Sequence, residues 1–157
     1  MPDLVTHFTV AYCFTRPARW ARFRVIFYLG TILPDLITRP LYILFPSTAY
    51  YVYSLHSPIM IVIVSLLISQ IFERNIRRHV LLFLLLGTAL HFVLDLLQKQ
   101  VLDAYYWLFP FSWKTCNLGL FWPEDALTLL PVWVCLIIIV ESTIQFRNRS
   151  SSWTSLK

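Results

Sequence analysis

Charge is what this 157-residue chain has least of: Asp, Glu, Lys and Arg make up 13% of it, against roughly 25% in an average soluble domain. That excludes a disordered chain, which needs high polarity to stay solvated. It also argues against an ordinary soluble domain, because too little polar surface remains to cover an interior this apolar. Glycine is scarce, with three residues against nine prolines, which excludes collagen-like sequence. Three cysteines do not make a disulfide framework. Cys13 and Cys135 fall inside apolar blocks and Cys116 stands alone, so buried or free thiols are expected. The N-terminal stretch lacks a basic n-region and a small-residue cleavage site, so no removable signal is expected, and bulky Tyr12 argues against a lipoprotein Cys13. No internal repeat is visible, and the one biased stretch is a short Ser-rich tail expected to fray.

What is present is apolar. Hydrophobic residues make up 58% of the chain and aromatics 17%, and the mean hydropathy is +0.66. Charged residues divide it into five apolar blocks at 4–14, 25–37, 58–72, 80–97 and 126–140. The fourth is about 27 Å long as a helix, enough for a hydrocarbon core of roughly 30 Å. The first covers only about 17 Å, a half-span or tilted helix. The expected fold is all-α: a polytopic membrane helical bundle of about five embedded segments over 1–146, followed by a basic, Ser-rich tail at 147–157.

The net charge of +5 is unevenly spread. Arg16, Arg19, Arg22, Arg24, Arg74, Arg77, Arg78, Arg147, Arg149 and Lys157 flank the blocks on one side, whereas Arg39, Lys99 and Lys114 lie on the other. By the positive-inside rule the first set is cytoplasmic, which predicts an inner-membrane protein with its N-terminus outside and its C-terminus inside. Basic residues scattered over membrane-flanking loops do not form a nucleic-acid-binding face. The expected partners are membrane lipids, with a homo-oligomer or a second membrane protein both open. The segment 101–122 gathers Tyr105, Tyr106, Trp107, Phe109, Phe111, Trp113, Phe121 and Trp122 around Pro110 and Pro123. Such aromatics suit the headgroup level, either as a membrane anchor or as a wall over a lipid-facing site.

An ionisable group inside a bilayer costs roughly 2.5–3.5 kcal/mol on insertion scales, so each one needs a reason. His7, Asp35, His56, His91 and Asp95 all fall in the outer half of their segments. Glu141 lies at the far end, and His79 sits among cytoplasmic arginines. His91 and Asp95 are four residues apart and share a helix face, with Gly87 one turn earlier allowing close helix approach. Three imidazoles and two carboxylates form a ligand set that suits zinc, and also manganese or iron. Each residue also has a plainer explanation. A lone histidine can bond between helices, Asp95 can pair with Lys99, and Asp35 after helix-breaking Pro34 can cap a turn. Their joint location favours a metal site. Asp35 or Asp95, whichever the metal leaves less committed, is the candidate general base, and Thr6 and Ser57 are the candidates for orienting imidazoles.

These residues resemble the YdjM-type family of bacterial and archaeal inner-membrane proteins, known as membrane-bound metal-dependent hydrolases. The resemblance rests on Thr6-His7, on Gly30 followed by Leu33-Pro34-Asp35, and on His56-Ser57. It continues with Gly87-x-x-x-His91-x-x-x-Asp95 and Leu108-Phe109-Pro110-Phe111-Ser112, and so covers most of residues 6–123. It implies a multi-span helical fold, metal ligands at His7, Asp35, His56, His91 and Asp95, and a hydrolytic activity. The order of ligands is also similar to part of that in zinc-dependent phospholipase C, without that class's second His-x-x-x-Glu pair. A non-catalytic accessory subunit with a metal or polar clamp is the alternative. A transporter is less favoured, since transporters commonly carry repeated halves.

Overall fold

The computed structural model describes residues 4–17, 20–99, 105–116, 118–120, 122 and 125–154. Arg19, Phe121, Pro123 and Lys157, named above, lie outside the described residues. The elements are helices α1 (Leu4–Thr15), α2 (Arg24–Leu44), α3 (Ala49–Leu55), α4 (Pro58–Gln70), α5 (Arg74–Leu97), α6 (Asp125–Thr128) and α7 (Leu130–Thr154). Short 3-10 turns at Ala21–Phe23 and Pro46–Thr48 lead into α2 and α3. The architecture is all-helical, as expected.

The pairing of α2 with α5 is the most extensive in the fold, and small residues make it possible. A Cβ on Gly30 would run into the carbonyl of Leu84, and one on Gly87 into the carbonyl of Phe27 and the amide of Thr31. The two backbones touch, as they do where small residues mediate packing between membrane helices. Pro34 adds a second device. Having no N–H, it leaves the carbonyl of Gly30 without its intrahelical donor, and the Thr88 hydroxyl of α5 donates to that oxygen at 3.1 Å. The helix does not break at Pro34. It runs on through Pro40 to Leu44, so Asp35 is a mid-helix residue, which removes the alternative that it caps a helix end or a turn.

Two apolar clusters fill the interior. Ala11, Phe27 and Phe83 form one, with Trp20, Phe23 and Tyr28 packed against it. Leu33, Ile61 and Phe92 form the other, with Ile37, Val64 and Trp107. At one end of the bundle the Phe23 ring stacks on His79 at 5.4 Å, and Arg24 donates to the Thr15 carbonyl at 3.5 Å. At this same end Arg77 donates to the carbonyls of Gln70 and Phe72. Arg16 grips Glu141 through Nε at 2.5 Å and Nη2 at 3.0 Å, and the Tyr12 hydroxyl also donates to that carboxylate. The basic residues of several connections thus gather where α1 and α4 finish and α2 and α5 begin. Glu141 belongs to this end and ties α7 to α1.

Two helices, α5 and the Leu130–Arg147 part of α7, are long and apolar enough to cross a membrane. The pair Pro46–Leu55 and Pro58–Gln70, bent by 76°, makes a third if it acts as one broken span. Among the described residues there are thus two or three candidate spans, and the five expected segments are not confirmed. The 12-residue α1 is too short, and Asp35, Arg39 and two prolines take α2 out of that class. These spans are consistent with a membrane protein. Along α7, Val132, Val134, Ile138 and Ile139 are all exposed, the pattern of a helix facing lipid.

Candidate metal centre

The five ionisable residues singled out above come together, although they start from four places in the chain. His7 comes from the first turn of α1 and Asp35 from the middle of α2. His56 caps the C-terminus of α3 at the bend before α4, and His91 and Asp95 lie one turn apart on α5. The distance along α5 from Arg77 to His91 is about 21 Å at 1.5 Å per residue, which separates the site from the basic end. All five are buried, and His7, His56, His91 and Asp95 have no exposed surface at all.

Asp95 is the hub. Its Oδ1 lies 3.3 Å from His7 Nε2, and its Oδ2 lies 3.0 Å from His56 Nε2 and 3.1 Å from His91 Nε2. The two histidine nitrogens are themselves 3.2 Å apart. Lys99, the sequence-based alternative partner of Asp95, instead holds its ammonium over the Trp122 ring at 5.0 Å. Asp35 pairs through Oδ2 with Arg39 Nη2 at 2.8 Å, one helical turn on. The sets His7/His91/Asp95 and Asp35/His56/His91 each bring one ligand atom per residue within 4.8 Å of the others, so either could hold a metal ion.

Thr38 Oγ1 donates to the Pro34 carbonyl at 2.9 Å and lies 3.3 Å from His56 Nδ1, where its oxygen can accept from an Nδ1–H and orient the ring, as the distal partner of a metal-binding histidine does. His56 Nε2 faces the Asp95 carboxylate at 3.0 Å: a ring with a proton on each nitrogen donates there, and a ring whose Nε2 is bare can offer its lone pair to a cation.

Sequence reasoning missed Thr38, and assigned its orienting role elsewhere. Ser57 is fully buried, but its hydroxyl accepts from the Met60 amide at 3.4 Å and so caps α4. Thr6 is buried beside His7 and makes no bond to an imidazole among the described residues. Tyr105 was read only as one member of an aromatic run. It is buried, and its ring stacks on His56 with centroids 4.0 Å apart and planes at 15°. Burial first, and then the Asp95 and Asp35 carboxylates, hold its phenol well above the usual tyrosine range, so it is a proton donor. Phe92 presents its edge to both His56 and His91, and Trp107 packs on Phe92. The start of the aromatic segment is thus a wall of the site, whereas Leu108 and Phe111 beyond it are exposed. Gln98 follows the last residue of α5 as its C-cap, with an extended backbone. It is fully buried, and neither of its amide atoms has a partner among the described residues.

No family model, curated protein or solved structure matches the chain. The functional reading rests on the chemistry of this site.

Proposed function

We propose that the chain is an integral membrane metal-dependent hydrolase of the YdjM type, with its site in the outer leaflet and lipid or phosphodiester substrates. The observation that carries the proposal is the triangle of His56 Nε2, His91 Nε2 and Asp95 Oδ2, with edges of 3.0, 3.1 and 3.2 Å. A tetrahedral zinc with bonds of roughly 2.0–2.1 Å keeps neighbouring ligands about 3.3 Å apart, so this triangle matches one face of such a shell. Three imidazoles with carboxylate oxygen favour zinc, and manganese or iron less strongly. A bound divalent ion would lower the pKa of a water towards 7 and polarise the scissile bond.

The chain's own residues then divide the work. His7, His56, His91 and Asp95 would hold the ion. Asp35 is the carboxylate less committed to imidazoles and serves as general base. Tyr105 and Phe92 exclude bulk water from the His56 side, and a Tyr105 phenol that keeps its proton can donate to a developing negative charge. With the basic end of the bundle in the cytoplasm, the site lies toward the outer face.

The purified protein, assayed with zinc on a soluble aryl phosphodiester and on phospholipids, is expected to show metal-dependent turnover that His91→Ala abolishes. Metal-replete protein that turns over neither substrate would overturn the hydrolase reading. Complete burial of four ligands favours a second reading, a structural clamp joining α1, α2, the α3–α4 bend and α5 in an accessory subunit. X-ray absorption separates the two: a closed shell of four protein ligands supports the clamp, and an oxygen from water in the shell supports catalysis.

A further inference from the structure

A groove of about 150 Å³ lies at the arginine-rich end of the bundle, where the turn after α1 meets α7. It is lined by Pro17, Ile139, Val140, Thr143, Ile144 and Arg147. The α7 residues are spaced so that they share one face of the helix. Opposite them stands Pro17, next in sequence to Arg16, whose guanidinium grips Glu141 of α7 and ties the two walls together. The Thr143 hydroxyl donates to the Ile139 carbonyl of its own helix at 2.8 Å, which leaves Arg147 as the charged donor of the lining. Arg16 is taken by Glu141, whereas Arg147 is exposed and makes no ion pair or hydrogen bond among the described residues. Arg147 is also the last residue of the candidate span Leu130–Arg147. In a bilayer its guanidinium would lie at headgroup depth, with Ile139 about 12 Å deeper at 1.5 Å per residue. Ile139 is 59% exposed, so the groove is open to the side along which lipid would lie.

We infer that this groove seats an anionic phospholipid of the leaflet at the arginine-rich end, its phosphate on Arg147 and one acyl chain along Ile139, Val140 and Ile144. The inference is independent of the hydrolase reading, because the candidate metal centre lies at the other end of the bundle. A guanidinium offers a planar fork of N–H donors that matches phosphate oxygens in pairs. The apolar wall begins one turn below it, as the acyl chain does below a phosphate. Charge selects an acidic headgroup over a zwitterionic one. Arg16 and Glu141 cancel, whereas Arg22, Arg74, Arg78 and Arg147 are all exposed and leave this end positive. Basic pockets between membrane helices are a known seat for acidic headgroups. A second copy of the chain is a poorer occupant. Insertion in one orientation keeps two copies parallel, so a contact through this groove brings two arginine-rich ends together, and like charges repel.

Native mass spectrometry of the full chain in maltoside micelles tests this, with dioctanoyl phosphatidylglycerol and dioctanoylglycerol as probes. The phospholipid is expected to bind roughly fivefold more tightly than the neutral diacylglycerol, the usual worth of one basic residue against an acidic lipid. In Arg147→Gln that preference should disappear, because the phosphate contact alone is lost. Ile139→Trp, which fills the groove, should weaken both lipids. Arg78→Gln removes an equal charge that does not line the groove and should leave the preference intact. Circular dichroism verifies that each variant is folded. Should Ile139→Trp fail to fold, Thr143→Trp, at another exposed position of the lining, takes its place. Equal binding of the two lipids by the wild type would overturn the inference, as would a loss in Arg78→Gln as large as in Arg147→Gln. A dimer that Ile139→Trp dissociates would also overturn it and assign the groove to a contact between copies.

Discussion

Thr38 donates to the Pro34 carbonyl and stands 3.3 Å from His56 Nδ1, where its oxygen is placed to accept from the ring. Thr38→Val keeps the shape and removes the acceptor. Outer-shell changes of this kind cost roughly 10–100-fold in metal affinity, and a fall in that range is expected in competition against a chromophoric chelator, with Thr38→Ser restoring it. Helical content should be unchanged. The five ionisable residues were legible from the sequence because each is expensive in an apolar chain and has few ways to be satisfied. Thr38 and Tyr105 were not. A threonine within an apolar helix and a tyrosine within an aromatic run are ordinary there, and only the fold brings them to His56. Ser57 was misread for a related reason: adjacency to a histidine in sequence does not aim a hydroxyl at its ring, and at a helix start the backbone amide is the nearer donor.

The junction of α2 with α5 leaves no room for even one carbon. Gly87→Ala would push a methyl into the Phe27 carbonyl and the Thr31 amide, groups that cannot rotate away. A loss of about 3 kcal/mol is expected, at the upper end of overpacking penalties, read as a lower midpoint in detergent unfolding. Ala89→Val, at an exposed position two residues on, should leave the midpoint nearly unchanged. Among the elements, α4 and α5 were the most legible, since long apolar runs bounded by arginines have only one inexpensive conformation in lipid. The continuation of α2 through two prolines was not. Proline reads as a break, and its cost falls only when a neighbouring helix supplies the missing donor, here the Thr88 hydroxyl.

At the scale of the whole molecule, the arginine-rich end and the buried histidine cluster lie at opposite ends of the bundle, and that polarity makes orientation testable. Cys116 is exposed on the connection beyond α5, on the side of the site. In intact cells a membrane-impermeant maleimide is expected to label Cys116. Both arms are read on a Cys13→Ser, Cys135→Ser background, since Cys135 is exposed as well; there, a variant with Cys116→Ser and Gln70→Cys, which moves the thiol to the basic end, should label only after lysis. The reverse pattern would turn the protein over in the membrane. The count of spans was hard to read, because α1 and the bent α3–α4 pair are apolar without being single full-length crossings.

The wide separation of the ligands along the chain also bears on how the protein is made. His7 leaves the ribosome first and Asp95 last, with the whole of α2, α3 and α4 between them. No earlier stage of synthesis carries the complete His56/His91/Asp95 triangle. Asp35 finds its counter-ion Arg39 on its own helix and can enter the translocon neutralised, whereas His7 and His56 must be inserted before their acidic partner exists. A metal that the site holds would therefore load late in biogenesis, and a chain truncated before Asp95 would carry its histidines unassembled and be a ready substrate for membrane quality-control proteases.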